Sequence, residues 1–280
     1  MKHKKNILVL FFVISIGALN GQSLKVMSYN IRLALASDND NAWQHRKEML
    51  AGMVQFYAPD ILGVQEALPE QVAYLDSTLN NWKHIGIGRE GVNKGEASAI
   101  FYNSSRFFLL DTGTFWLSDT PDKISKGWDA SYLRICTYGL FKEKKTGKKF
   151  WVFNTHLDND GVIARTKGLA LILKKMKALN LEKLPVMLTG DFNSSPQTAL
   201  IKNLQEEMKD TKEISTKKPF GPAGTFNGFK FCDSVQDKID YIFVSKTPVI
   251  QVTKFAVLNN SINRHYPSDH FPVYAEIQMN

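Results

Sequence analysis

Only two of the 280 residues are cysteine, Cys136 and Cys232, and neither belongs to a CxxC pair or to a Cys/His spacing suited to zinc. Those spacings being absent, a CxxC redox enzyme and a zinc module are excluded. The chain also has no GxSxG elbow, no GxxxxGK[ST] loop and no HExxH. The sequence marks of α/β-hydrolases, P-loop proteins and zincins are therefore missing. No internal repeat, low-complexity tract or Pro/Ser linker divides the chain. Its formal charge is +8, yet it has no long Lys/Arg tail of the kind that grips a nucleic-acid backbone.

What is present begins with a targeting pattern. MKHKK carries charge, ILVLFFVISIGAL is an apolar run too short for a comfortable membrane span, and small or polar residues follow in NGQS. This predicts a secretory signal peptide over residues 1–21, cut after Gly21. A single-pass N-terminal anchor is the competing reading. The protein is accordingly expected to be exported, periplasmic or extracellular, without a stable span after cleavage. Residues 22–280 are expected to form one domain and to act as a monomer. Cleavage removes Lys2, Lys4 and Lys5 and leaves a mildly basic chain, which suits an anionic substrate. The densest basic cluster, KEKKTGKK at 142–149, has a Thr-Gly turn at its centre and reads as a solvated hairpin tip. Export would permit a Cys136–Cys232 disulfide, with two buried free thiols as the other reading.

Short runs rich in Val, Ile and Phe predict strands over 24–30, 60–66, 97–103, 149–157, 184–192, 238–245 and 271–278. Helical patterns lie between some of them: 42–57, ended by Pro59; 69–80; and 161–179, whose last turn is basic and suits the helix dipole. Early β–α alternation followed by β-rich stretches points to an α/β or α+β sandwich with helices outside packed sheets.

Several of these strands end in residues able to bind a metal or a phosphate. Asn30 and Glu66 close the first two, and Asn154, His156 and Asp158 come together on another. Asp191 and Asn193, then Asp240, and finally Asp269-His270 follow. A strand buried on both faces holds few carboxylates, because an unpaired buried charge is costly. Strand ends opening on one crevice are where open α/β sheets build their sites. Carboxylate and amide oxygens without cysteine suit a hard cation, Mg²⁺ or Mn²⁺ with Ca²⁺ as a further candidate. The run Ser268-Asp269-His270 reads by itself as a capped turn, and it cannot be a hydrolase triad because consecutive side chains diverge.

The ordered series SYN, QE, NTHL, GDFN, DYI and SDH resembles the endonuclease/exonuclease/phosphatase superfamily, the DNase I-like proteins, from about Lys25 to Ile277. GTFWLSDTPD, SKGWDA, RICTYGLF, GTFNGF and IDYIFVS resemble its secreted or periplasmic bacterial branch of uncertain substrate. The resemblance implies a four-layer α/β/β/α sandwich of two mixed sheets with helices outside. It also implies roles. Glu66 is the principal metal-binding carboxylate, with Asn30 close to it and Asp269 as a further metal residue. Asp191 orients or deprotonates the attacking water, and Asn193 holds phosphate. His270 stabilises the pentacovalent phosphorus or acts as base, oriented by Asp240 or Asp269. His156 matches the histidine that phosphatase-like and sphingomyelinase-like members place near phosphate, which tilts away from abasic-site repair.

Substrate contacts are expected from Arg134 and Arg165, because a guanidinium matches phosphate bidentately, and from Asp158. A structural ion pair is the alternative for each arginine. Trp128 and the 226–229 loop are further candidates for lining a pocket. The activity implied is divalent-metal-dependent hydrolysis of a phosphate ester by in-line water attack, with a phosphodiesterase or endonuclease-like enzyme as the first reading. A phosphomonoesterase acting on sugar, inositol or lipid head-group phosphates is the alternative. A binding module that kept the sandwich is a third, and it predicts gaps among the core residues that the sequence does not have. Specificity is expected to lie in loops 86–97, 118–130 and 215–230.

Overall fold

The computed structural model describes residues 23–279, so the expected signal peptide lies outside the described residues. In chain order the strands are β1 (Leu24–Asn30), β2 (Ile61–Gln65), β3 (Trp82–Ile85), β4 (Ile100–Asn103), β5 (Phe107–Trp116), β6 (Ile135–Glu143), β7 (Lys149–His156), β8 (Val186–Asp191), β9 (Met208–Asp210), β10 (Asp240–Ser245), β11 (Ile250–Val257) and β12 (Val273–Met279). The helices are α1 (Trp43–Tyr57), α2 (Pro69–Thr78), α3 (Val162–Leu179) and α4 (Ala199–Glu207).

Two six-stranded sheets result, ordered β11-β12-β1-β2-β4-β3 and β5-β6-β7-β8-β10-β9. Each is mixed. β1 runs parallel to β2 and β7 parallel to β8, while the other neighbours are antiparallel. A parallel pair needs a long crossover, which α1 and α3 supply.

Period-two alternation sorts the side chains into layers. Val26 of β1 and Ile61 of β2 meet Phe150 and Val152 of β7 and Met187 of β8 in one buried cluster between the sheets. The alternate positions Met27, Tyr29, Leu62 and Val64 pack under Leu50 and Val54 of α1 and Leu75 of α2. On the other sheet Trp151, Phe153 and Leu188 pack under Leu169 and Ile172 of α3 and Ile201 and Leu204 of α4. Three apolar seams make four layers, as the sequence implied. The chain forms the DNase I-like α/β/β/α sandwich.

The strands and helices read from the sequence all occur, with no end displaced by more than three residues. The 142–149 cluster does form a turn, between β6 and β7. β3, β5, β6, β9, β11 and α4 escaped the sequence reading. β5 and β11 each contain a register shift, at Leu109/Asp111 and Val252/Lys254, which breaks the alternation a strand shows in sequence. β9 has only three residues. Neither cysteine reading holds: both thiols are free, Cys136 is buried and Cys232 is exposed.

Toward the site end the inter-sheet seam turns from apolar to polar. Ser28, Gln65, Asn154 and Thr189 are all fully buried there. Gly63 lets the sheets close, since a Cβ at that position would stand 2.5 Å from Thr189 Oγ1 and 2.7 Å from Asn154 Oδ1. Asn154 Nδ2 then reaches across to donate to the carbonyls of Val64 (2.8 Å) and Ala99 (2.9 Å). Its Oδ1 accepts from Gln65 Nε2 at 2.7 Å. Asn154 thus fastens the two sheets together beneath the cavity floor.

Candidate active site

Register places the central residues. Asp191 at the end of β8 is paired with His156 of β7 on one side and with Asp240 of β10 on the other. In the facing sheet Asn30 of β1 is paired with Gln65, so Glu66 follows at the sheet's edge. The loop before β12 brings in Asp269 and His270. All but Asn30, Gln65 and Asp240 of this set face one cavity of about 660 Å³.

His270 Nδ1 lies 2.9 Å from Asp240 Oδ2, and its Nε2 lies 3.8 Å from Asp191 Oδ2. Burial alone disfavours the imidazolium. The carboxylates of Asp240, Asp191 and Asp269 outweigh it and hold the His270 pKa well above its ordinary value. His156 has the opposite fate: burial, then the positive charges of Arg134, His270 and Arg89, push its pKa well down. Its Nε2 accepts from Asn193 Nδ2 at 3.0 Å, which requires a neutral ring. The 3.5 Å approach of that nitrogen to Asp191 Oδ2 is therefore not an ion pair. One histidine is a cation and the other a neutral acceptor, in the same pocket.

Asp191 is 1 % exposed. Burial, followed by the nearby charge of Asp240, raises its pKa to about 7, against the pull of His270 and of hydrogen bonds from Asn193 and Asn30. Those bonds are Asn193 N to Oδ1 at 2.9 Å and Asn30 Nδ2 to Oδ2 at 3.0 Å. A carboxylate poised near neutrality and fixed at both oxygens suits acceptance of a proton from water.

Asn30 stands beside Glu66. Its Nδ2 bridges Asp191 and Glu66 Oε1 (3.0 Å), and its Oδ1 accepts from Arg32 N at 3.0 Å. Asn30 thus holds Glu66 and Asp191 in place. Glu66 Oε2 accepts from Leu33 N at 3.1 Å. Glu66 and Asn193 both take left-handed backbone, with φ of 60° and 46°, a conformation that costs a non-glycine residue free energy and clusters at working sites.

The cavity fits a divalent cation. Burial raises the Asp269 pKa, and the Glu66 carboxylate adds to that rise against the pull of His270, Arg32 and Arg46. Arg32 Nε remains 3.8 Å from Asp269 Oδ2. Two mutually repelling carboxylates with only oxygen atoms to offer are the donor set of a hard cation. Asp191, Asp240 and His270 also bring three donor atoms within 4.8 Å. There the Asp240–His270 bond already uses one donor of each, and Asp240 does not line the cavity. Glu66 and Asp269, which the family resemblance gives to the metal, both line it.

Of the expected substrate contacts only Arg134 lines the cavity. Asp158 is buried, and its carboxylate accepts from the backbone of Ser131, Tyr132, Asp160 and Gly161 and from Arg134 Nε at 3.2 Å. It fixes Arg134 and has no capacity left for substrate. Arg165 Nη1 donates to the carbonyls of Asp158 and Asn159 (2.9 Å each), tying down the same loop. Trp128 is turned away, its Nε1 bonded to Asp119. Phe226 does line the cavity, its ring 5.1 Å from that of His270.

The sequence reading missed Arg32, Arg46, Arg89, Glu96 and Tyr132. Arg46 is 2 % exposed and donates to the carbonyls of Ile31 (2.6 Å), Arg32 (2.6 Å) and Pro267 (3.0 Å). It joins the chain after β1 to the loop before His270. A signal was there: Arg46 occupies the buried stripe of α1 with Trp43, Leu50 and Val54, where a charge is out of place.

A profile of the Endonuclease/Exonuclease/phosphatase family matches residues 27–270. The structure of a mannosyl-6-phosphatase from Bacteroides thetaiotaomicron superposes with a TM-score of 0.86 at 40% identity, covering 91% of this chain and 99% of that one. An endonuclease/exonuclease/phosphatase from Bacteroides vulgatus gives a TM-score of 0.87 at 32% identity, covering 93% and 100%. Among curated proteins, the CCR4-Not 3'-5'-exoribonuclease subunit Ccr4 of Emericella nidulans is 23% identical over 85% of this chain, and the chain spans only 48% of that protein. The chain belongs to the endonuclease/exonuclease/phosphatase family and is a hydrolase of phosphate esters that works with a divalent metal.

Proposed function

We propose that this protein removes phosphate from a small phosphate monoester, a sugar phosphate first among them, with Mg²⁺ or Mn²⁺ held by Glu66 and Asp269. The observation that carries this reading is where the basic charge lies. The 142–149 lysine cluster sits at the start of β7, and His156 at its end. Eight residues of strand, about 25 Å, separate them. None of the cluster's lysines lines the site, where a nucleic-acid track would bring its basic charge, whereas a cavity of about 660 Å³ is the size of a small-molecule site. The 40% identity with a mannosyl-6-phosphatase points the same way. The similarity to an exoribonuclease subunit favours a phosphodiester as the second reading.

In this reading Asp191 orients the water and takes its proton at a carboxylate oxygen. His270 presents Nε2–H⁺ to a non-bridging oxygen, where charge develops in the transition state. Asn193 and Arg134 steady the phosphoryl group; Arg134 Nη1 has no hydrogen-bond partner among the described residues, its other two nitrogens being held by Asp158 and Asn159. The cation supplies further charge neutralisation on the phosphoryl oxygens.

The test is an assay of the purified protein on mannose 6-phosphate, ethyl phosphate, bis-p-nitrophenyl phosphate and single-stranded RNA, with Mg²⁺, Mn²⁺ or EDTA. Monoester turnover that EDTA abolishes, at least tenfold faster than diester turnover, is expected. Faster hydrolysis of RNA or of the diester would reject the monoester reading. The same preparation tests export: recovery of a chain beginning at Gln22 from outside the cytoplasm is the expected result.

A further inference from the structure

Beyond the phosphate end, the cavity runs on to a second set of side chains that the reaction does not use. Arg89 and Glu96 lie on a tight hairpin, with Arg89 N bonded to Glu96 O at 2.9 Å and Glu90 N to Lys94 O at 3.2 Å. Gly88 permits the turn, since a Cβ there would stand 1.9 Å from Lys94 O. Trp116 Nε1 donates to the Arg89 carbonyl at 2.7 Å and pins the hairpin to the other sheet. Arg89 Nη2 meets Glu96 Oε1 at 2.7 Å, and both side chains are largely shielded. Glu96 Oε2 has no hydrogen-bond partner among the described residues.

The Tyr132 ring lies beside this pair. It is 49 % exposed, yet it is not loose: Arg89 Cζ is 5.1 Å and Arg134 Cζ 5.6 Å from its centroid. Its backbone N is held by Asp158 at 3.2 Å. A small recess bounded by Glu66, Glu96, Arg134 and His156 joins this end to the phosphate end.

We propose that Glu96, Arg89 and Tyr132 form the subsite for the alcohol half of the substrate, a hydroxylated sugar ring. This rests on the monoester reading above. The carboxylate accepts from neighbouring hydroxyls, the guanidinium donates to a ring oxygen, and the tyrosine face covers the apolar C–H face of the ring. A charged acceptor paired with an open aromatic face suits a neutral polyol. It disfavours a polynucleotide, whose next phosphate would approach Glu96 with like charge.

The test compares mannose 6-phosphate with ethyl phosphate, which has neither ring nor free hydroxyl, in the wild type, Glu96→Gln and Tyr132→Ala, with Mg²⁺. Neither side chain takes part in the chemical step of the proposed mechanism, and a thermal midpoint confirms that each variant folds. The expected result is a rise of about tenfold or more in KM for the sugar phosphate, with kcat/KM for ethyl phosphate within about twofold of wild type. Free mannose should inhibit the wild type competitively and the variants weakly. Equal losses on both substrates would overturn the subsite. So would wild-type turnover of ethyl phosphate without preference for mannose 6-phosphate, and that outcome leaves the monoester reading standing. Failure on every monoester would instead sink the monoester reading, and the subsite with it.

Discussion

His270 is bonded through Nδ1 to Asp240 Oδ2 at 2.9 Å, thirty positions away, and not to its chain neighbour Asp269. Asp269 turns toward Glu66 and Arg32. In the proposed mechanism the two adjacent residues serve different halves of the site: one the phosphoryl oxygens, the other the cation. The sequence left Asp240 and Asp269 open as the partner of His270, and the register of β10 against β8 chooses Asp240.

Asp240→Asn should lower kcat/KM by about a hundredfold or more, the scale of losing a positioned acid. Its sign in pH follows from the raised His270 pKa, because the proton persists in the folded state past neutrality and is lost only as pH climbs through the folded value. Removing the Asp240 charge should move the alkaline limb of the pH–rate profile downward. An unchanged limb would disconnect the pair from catalysis.

Asp191 gives a metal-linked prediction. Its pKa rises from 3.8 to about 7, so its favourable contribution to stability is full below 3.8 and fades as pH rises through about 7. The metal-free protein should therefore gain more thermal stability from Mg²⁺ at pH 8 than at pH 5.5. Asp191→Asn should raise the metal-free midpoint at pH 8 while abolishing turnover. Calorimetry with and without EDTA checks both, and an equal Mg²⁺ gain at the two pH values would contradict the first.

Asp158 is predicted to act through Arg134. Asp158→Asn should raise KM severalfold with a smaller change in kcat, because Arg134 loses its anchor. Burial alone would raise the Asp158 pKa, but backbone N–H groups and Arg134 win and lower it to about 2. That stabilisation is present above pH 3.8 and is lost as pH falls toward 2, about 2 kcal/mol in scale. Acid unfolding of wild type and variant should converge there. A kcat collapse at constant KM would argue for a direct role.

Arg46→Met should destabilise the fold by about 3 kcal/mol, since it strands buried carbonyls at Ile31 and Pro267. It should also weaken Mg²⁺ binding, because the same guanidinium ties the strand carrying Asn30 to the loop carrying Asp269. Denaturant titration reads the first effect and Mg²⁺ titration of activity the second. Arg46→Lys should restore only part of either.

Much of the site was legible because strand ends are. Glu66, His156, Asp191 and Asn193 each follow an apolar run and His270 precedes one, and burial of a carboxylate there demands a reason. The ordered motifs then brought the family and its four-layer fold. What the sequence leaves open is set by contacts between residues far apart in the chain. The inter-sheet approach at Gly63 converts Asn154 from a candidate ligand into a clasp. Backbone amides at 131, 132, 160 and 161 claim Asp158, and no spacing announces them. Arg89 and Glu96 share one hairpin, and Tyr132 on a separate loop meets them only when the sheets stack. The sequence by itself determined the chemistry, through which donors stand at strand ends. The tertiary structure decided the pairing, because register and sheet packing set which charges face each other, and that sets which histidine carries a proton and which carboxylate gives it up.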